Sequence, residues 1–175
     1  ALAPGVLGLT GIQTAEIIKG VVEMVQPDFI IAIDSLAARS TGRLGTTIQL
    51  SNTGISPGSG IGKNRAGINQ QTMNIPVVAI GVPTVVGAAT IVSDAVDSLV
   101  NSNLFSEAEK ARLRRVSEQE KNGTIRNILS TDLGGLIVSP KGIDELIEDV
   151  SRIIGGGINV AIHPDITAEN LSLYL

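Results

Sequence analysis

Asp28-Phe29-Ile30-Ile31-Ala32-Ile33-Asp34-Ser35-Leu36-Ala37-Ala38-Arg39 decides how the chain is read. Its first half is a short, unbroken aliphatic run, the composition of a strand buried on both faces of a parallel sheet. The run ends at Asp34, and the following SLAARS is compatible with helix. Upstream, TAEIIKGVVEMV over 14–25 puts Ile17, Ile18, Val21, Val22 and Val25 at helical spacing, with Thr14 as a cap, and Pro27 breaks the pattern. Helix, strand, then helix is the rhythm of an open α/β sheet.

The remainder extends that pattern. Thr46-Thr47-Ile48-Gln49-Leu50 alternates, as a strand near a sheet edge does, and 76–83 (PVVAIGVP) reads as a third strand. Between them, 51–71 is rich in Gly, Ser, Asn and Pro; so long a loop inside a compact domain is usually functional or mobile. Residues 88–100 form a helix with Ile91, Ala95 and Leu99 on one side. The charged stretch 106–121 has little apolar face, so a solvated connector is expected around 104–123. Ser139-Pro140-Lys141 opens a final amphipathic helix through Ile143, Leu146, Ile147 and Val150. Gly155-Gly156-Gly157 either ends that helix or marks a close approach by another element. The whole of 1–175 is expected to be one portion of a single α/β domain.

Composition removes several chemistries. Of 175 residues, 43% are apolar but only Phe29, Phe105 and Tyr174 are aromatic, so the core is built from Ile, Val, Leu and Ala. Without cysteine there is no disulfide frame, thiolate nucleophile or Cys-based zinc site. A lone histidine, His163, cannot supply a multi-histidine metal cluster. A net charge of −4 argues against direct nucleic-acid binding. No apolar run is long enough to span a bilayer, and Ala1-Leu2-Ala3-Pro4-Gly5 has no signal-peptide character. A cytoplasmic α/β protein is expected.

Asp34 is the residue most open to a chemical role. A carboxylate directly after an aliphatic strand sits where open α/β sheets gather ligands and catalytic groups. The same position lets an acid cap the next helix through its free amides, and on residue type alone the two readings stand level.

Longer blocks break the tie. Ala3-Pro4-Gly5-Val6-Leu7-Gly8, the 27–39 stretch, Thr46-Thr47-Ile48-Gln49, the 54–62 run GISPGSGIG and the 75–86 run IPVVAIGVPTVV together resemble the spore germination protease family. The C-terminal half is similar more loosely, so the resemblance covers essentially the whole chain. It implies an atypical aspartic endopeptidase, made as a zymogen and assembling as a tetramer in the spore core. That enzyme uses no metal or other cofactor and starts the degradation of small acid-soluble spore proteins. The implied fold is a three-layer α/β/α sandwich with a mostly parallel or mixed sheet, as in hydrogenase maturation proteases. Asp34 matches the second of the family's two catalytic aspartates. The first belongs to an upstream Asp-Ala-Leu-Gly-Pro-type motif with no counterpart here, so the chain is expected to be the C-terminal portion of its parent and inactive alone.

Several features depart from that pattern or compete with it. Asn52-Thr53-Gly54 resembles the Asp-Thr-Gly of pepsin-like enzymes but has Asn in place of the acid, and Gly87 stands where relatives can carry an acid. The run 57–64 lacks the first glycine and the hydroxyl of a P-loop, having Pro57 and Asn64 there; a loop bordering the protease cleft fits better. His163, in Ala-Ile-His-Pro, fits a structural role, and no Gly-x-Ser-x-Gly elbow accompanies it. Arg39 and Arg43 could meet a substrate carboxylate or form surface ion pairs. The alternatives to the protease are a metal-dependent maturation peptidase of related fold and a catalytically inactive assembly domain.

Overall fold

A computed structural model describes residues 1–58, 66–113 and 135–174. The chain forms two compact units, Ala1–Val138 and Ser139–Leu175. The first is α/β, built among the described residues on a mixed four-stranded sheet. Strand β1 (Ile30–Ala38) pairs in parallel with β3 (Val77–Gly87), from Ile30 opposite Val77 to Ala38 opposite Val86. On its other side β3 takes β2 (Gln49–Ser51) and β4 (Ile137–Val138), both antiparallel. Among the described residues β1 therefore has one strand partner and one open edge, while β3 is central. The burial follows: β3 is buried at most of its positions, and β1 alternates.

Helix α1 (Leu7–Thr10) is short, and α2 (Thr14–Val25) carries the amphipathic pattern read from the sequence. Gln13, not Thr14, occupies the N-cap of α2; the Thr14 hydroxyl instead reaches back to the Gly5 carbonyl at 3.4 Å. Gln26 closes the helix in the left-handed conformation before Pro27. Helix α3 (Gln70–Met73) is a single turn that holds through a capping box. The Asn69 side chain accepts from the Gln71 and Thr72 amides, and the Thr72 hydroxyl accepts from the Asn69 amide. Ala15 of α2 and Met73 of α3 pack with Ile68 and Val77 into the core, joined by Ile18, Ile30, Ala32, Ile55 and Ile75. By strand alternation, the sheet face under this cluster is Ile30, Ala32, Asp34 and Leu36 of β1, beside Val77, Ala79, Gly81 and Pro83 of β3.

Two expectations about the strands fail, each for a physical reason. No helix follows Asp34: β1 runs on through Ser35-Leu36-Ala37-Ala38, and its exposure alternates residue by residue. Leu and Ala favour helix, but pairing with a long buried neighbour overrides a weak local propensity. Likewise β3 does not stop at Pro83. The register slips at that point, Leu36 facing Pro83 and Ala37 facing Val85, so the residue without an amide hydrogen sits at a bulge. The Pro83 carbonyl still finds a donor, the Gly45 amide at 2.7 Å.

Helix α4 (Ala88–Asn101) starts immediately after β3. Its Asp94 accepts from both the amide and the hydroxyl of Thr41, at 2.6 and 2.8 Å, and so ties down the 3-10 turn Thr41–Arg43 that follows β1. Helix α5 (Glu107–Leu113) lies in the charged stretch, and its Lys110 is mostly buried against Glu107 at 3.0 Å. The rest of the expected connector, from residue 114, is outside the described residues.

The second unit is the amphipathic helix α6 (Ile143–Ile162), with a 3-10 turn, Leu171–Leu173, packed on it. The triple glycine does not end α6, which continues through it. Gly156 is buried, while a Cβ at Gly155 or Gly157 would meet nothing within 4 Å.

Residues 55 and 68 clasp the two ends of the Gly/Ser-rich segment by reciprocal backbone bonds of 2.9 and 2.7 Å. Gly54 makes the clasp possible. It has φ +86°, and a Cβ there would overlap the Ile68 carbonyl and lie 2.5 Å from Asn69 Cβ. Gly54→Ala is expected to cost about 2 kcal/mol or more. Gly20→Ala, in mid-α2 with open space around it, is expected to add about 0.5–1 kcal/mol. Urea unfolding of the two variants checks both signs.

Candidate active site

The N-terminal segment, α2, β1 and the start of the 55–58 loop enclose an open groove of about 920 Å³. Ile18, Ile30, Ala32, Ile55 and Ile68 form an aliphatic lining that continues the core outward. Asp34 is the sole ionisable side chain among the described residues that line it. Three of the sequence blocks singled out above meet there: Pro4 and Gly5 from the first, Ile30 to Asp34 from the second, Pro57 and Gly58 from the third.

Asp34 is the fifth residue of nine-residue β1, so it reaches the groove from mid-strand and not from a strand end. The helix-cap reading does not hold, because no helix begins behind it. Across the sheet Asp34 faces Gly81, which in turn faces Gln49, so the row through the acid reads Asp34, Gly81, Gln49. The carboxyl is half-buried. Its one hydrogen bond among the described residues comes from the Ser35 amide, at 2.9 Å to Oδ1. Burial pushes its pKa above the ordinary 3.8, and the Ser35 amide opposes this only in part. An acid that is partly desolvated holds its proton more tightly than one in water. Such a group can lend a proton to a substrate oxygen or share one with a second carboxyl.

The other candidates take structural places. Gly54 of the Asn-Thr-Gly triplet makes the turn onto Ile68, and Asn52 is exposed. Gly87 ends β3 and forms the N-cap of α4, with room for a side chain. His163 is exposed and closes α6, its amide bonded to the Asn159 carbonyl at 3.0 Å. Arg39 and Arg43 are exposed and do not line the groove, and neither forms an ion pair among the described residues. Of the run 57–64, residues 59–65 lie outside the described residues. No three His, Cys, Asp or Glu side chains among the described residues converge to hold a metal ion, and no described helix is long and apolar enough to cross a membrane. Sequence reading missed two residues beside Asp34, Leu36 and Gly81; a cross-strand neighbour leaves no mark in local spacing.

Among the described residues, the groove of this α/β protein is aliphatic apart from one half-buried carboxyl. The sequence profile of the germination proteases, peptidase family A25, matches residues 1–116 and 111–175, and the chain belongs to that family. It is 48% identical to the germination protease of Clostridium perfringens strain SM101 over 100% of this chain and 55% of that protein. The germination protease of Caldanaerobacter subterraneus is also 48% identical, over 100% and 55%. That of Bacillus subtilis strain 168 is 40% identical, over 99% and 56%. The chain thus spans a little over half the length of these relatives.

Because folding raises the Asp34 pKa, the unfolded chain ionises first as pH rises. Stability tied to this group is complete below 3.8 and is lost as pH climbs through the raised folded value. Asp34→Asn is therefore expected to raise the thermal midpoint at neutral pH and to leave it little changed near pH 3, which paired thermal melts would test.

Proposed function

We propose that this chain supplies one acid of a two-carboxyl endopeptidase centre, which opens the degradation of small acid-soluble spore proteins at germination. The observation that carries the reading is Asp34 itself: half-buried, without a counter-cation among the described residues, its proton affinity raised, and set in an open groove. Family membership supports the substrate class and the spore-core setting.

The chemistry needs two groups. A protonated Asp34 donates to the scissile carbonyl oxygen while a second, ionised carboxyl takes a proton from water. The water oxygen then adds to the carbonyl carbon, and collapse of the tetrahedral adduct breaks the C–N bond as the amine is protonated. Two carboxyls close together divide these roles, because their repulsion keeps one of them protonated. Among the described residues of the groove lining, Asp34 has no such partner. The second acid, on this reading, lies in the part of the family's length that this chain does not span. Among the described residues β1 has an open edge beside Asp34, and added sheet there would bring the second acid within reach.

The complete protein would then be one α/β peptidase domain with this chain as its C-terminal portion. Its fold would be a three-layer α/β/α sandwich of the hydrogenase maturation protease kind, assembled as a tetramer. The mixed sheet with helices before and after its strands is consistent with that architecture.

The test is cleavage of a purified small acid-soluble spore protein by the complete protein, followed by mass spectrometry. Asp34→Asn is expected to lower kcat by about 10²-fold or more, the usual scale of a lost acid or base, with cleavage persisting in chelator. The isolated 175-residue chain is expected to be inactive. Undiminished cleavage by the Asn variant would remove Asp34 from the chemistry, and loss of cleavage in chelator would favour a metallopeptidase.

A further inference from the structure

A glycine faces Asp34 across the sheet, and the space that it leaves is filled. A Cβ built at Gly81 would overlap Leu36 Cδ1 and lie 2.8 Å from Leu36 Cγ and 3.4 Å from Cδ2. Leu36 therefore leans back along β1 and diagonally onto β3, with its isobutyl group in the volume that a side chain at 81 would occupy. Residue 81 is the register partner of Asp34, and neighbouring strands lie about 4.8 Å apart. The isobutyl group thus fills the cross-strand place opposite the acid, on the sheet face that Asp34 and Leu36 share. Ala32 and Ala79 flank the same patch of face and are too small to crowd it.

We propose that Leu36, seated in the slot left by Gly81, is a positioning residue for the Asp34 site: it keeps water from the sheet side of the carboxyl and leaves the groove side open. The claim rests on the catalytic reading of Asp34 above. The two residues form one device, since a side chain at 81 would expel the leucine and a smaller residue at 36 would leave the slot to water. Among the described residues, the rest of the lining does not account for the effect by charge. β3 carries no ionisable residue between Val77 and Gly87, the N-terminal segment and residues 55–58 carry none, and α2 contributes Thr14 and Ile18 to the groove. Desolvation, the larger cause of the raised Asp34 pKa, agrees with this geometry.

The experiment is carboxyl-carbon NMR titration of Asp34 in this chain, in the wild type and in Leu36→Ala, Leu36→Met and Gly81→Ala/Leu36→Ala. It is run beside the pH–rate profile of the complete protein with the same substitutions. In Leu36→Ala the Asp34 midpoint is expected to fall towards 3.8, and the pH–rate limb governed by Asp34 to move the same way. Leu36→Met, which refills the slot, is expected to leave both in place. Gly81→Ala alone is expected to lower the unfolding midpoint, and Leu36→Ala on top of it to recover part of the loss, since the new Cβ then has room. An Asp34 midpoint that does not move in folded Leu36→Ala would overturn the proposal. So would equal shifts in Leu36→Ala and Leu36→Met. If Leu36→Ala does not fold, Leu36→Val is titrated instead, with the same two outcomes. Should Asp34→Asn keep full activity, the catalytic reading falls and the titration still reports whether Leu36 controls the carboxyl.

Discussion

Nine residues of β1 lie in parallel register against β3, and everything around Asp34 hangs on that ladder. Side chains alternate along a strand, so a slip of one residue would turn each of them to the opposite face. Asp34 would turn from the face that it shares with Ile30 and Ala32, and Ile33, now more than half exposed, would take its place there. The hydrophobic cluster forbids the slip. Ile30 and Ala32 sit beside Val77 and Ala79 beneath Ala15, Ile18 and Met73, and that contact holds only one alternation of β1 against the helices. The acid is aimed by residues two and four positions before it.

The same packing explains why the carboxyl is strained chemically but not geometrically. An aliphatic core that stopped short of Asp34 would leave an ordinary surface acid; one that closed over it would demand permanent neutrality. Here the cluster ends at Ala32 and the groove begins, so the carboxyl has apolar atoms on one side and solvent on the other. Groups in that intermediate state respond most to small changes nearby, because a single side chain then alters a large share of their solvation.

Much of this was legible from residue order. Helix α2 follows from aliphatic spacing and the break at Pro27, and β3 follows from a β-branched run too short for a helix. Asp34 could be picked out because it interrupts an aliphatic strand within a block that resembles a known family. What failed was local propensity set against distant pairing. Leu36-Ala37-Ala38 looks helical in isolation and becomes strand only because Pro83 to Val86 lies alongside. Pro83 looks like a terminator and is absorbed by a bulge. The run at Gly155 leaves a helix end and a close approach equally open, and α6 passes through it. The groove itself was not legible, since its walls come from segments as far apart in sequence as Pro4 and Ile68.

The clasp between Ile55 and Ile68 also bears on how this chain can diverge. Because those two residues bond each other in both directions, the positions of the flanking core residues are set independently of what connects them. Closing a longer excursion over a fixed gap costs only about 0.6 kcal/mol for each doubling of length. Residues between the clasped ends can thus be inserted, deleted or exchanged with little thermodynamic consequence for the core. The core beneath the clasp is insulated from the length of the segment that joins its two sides.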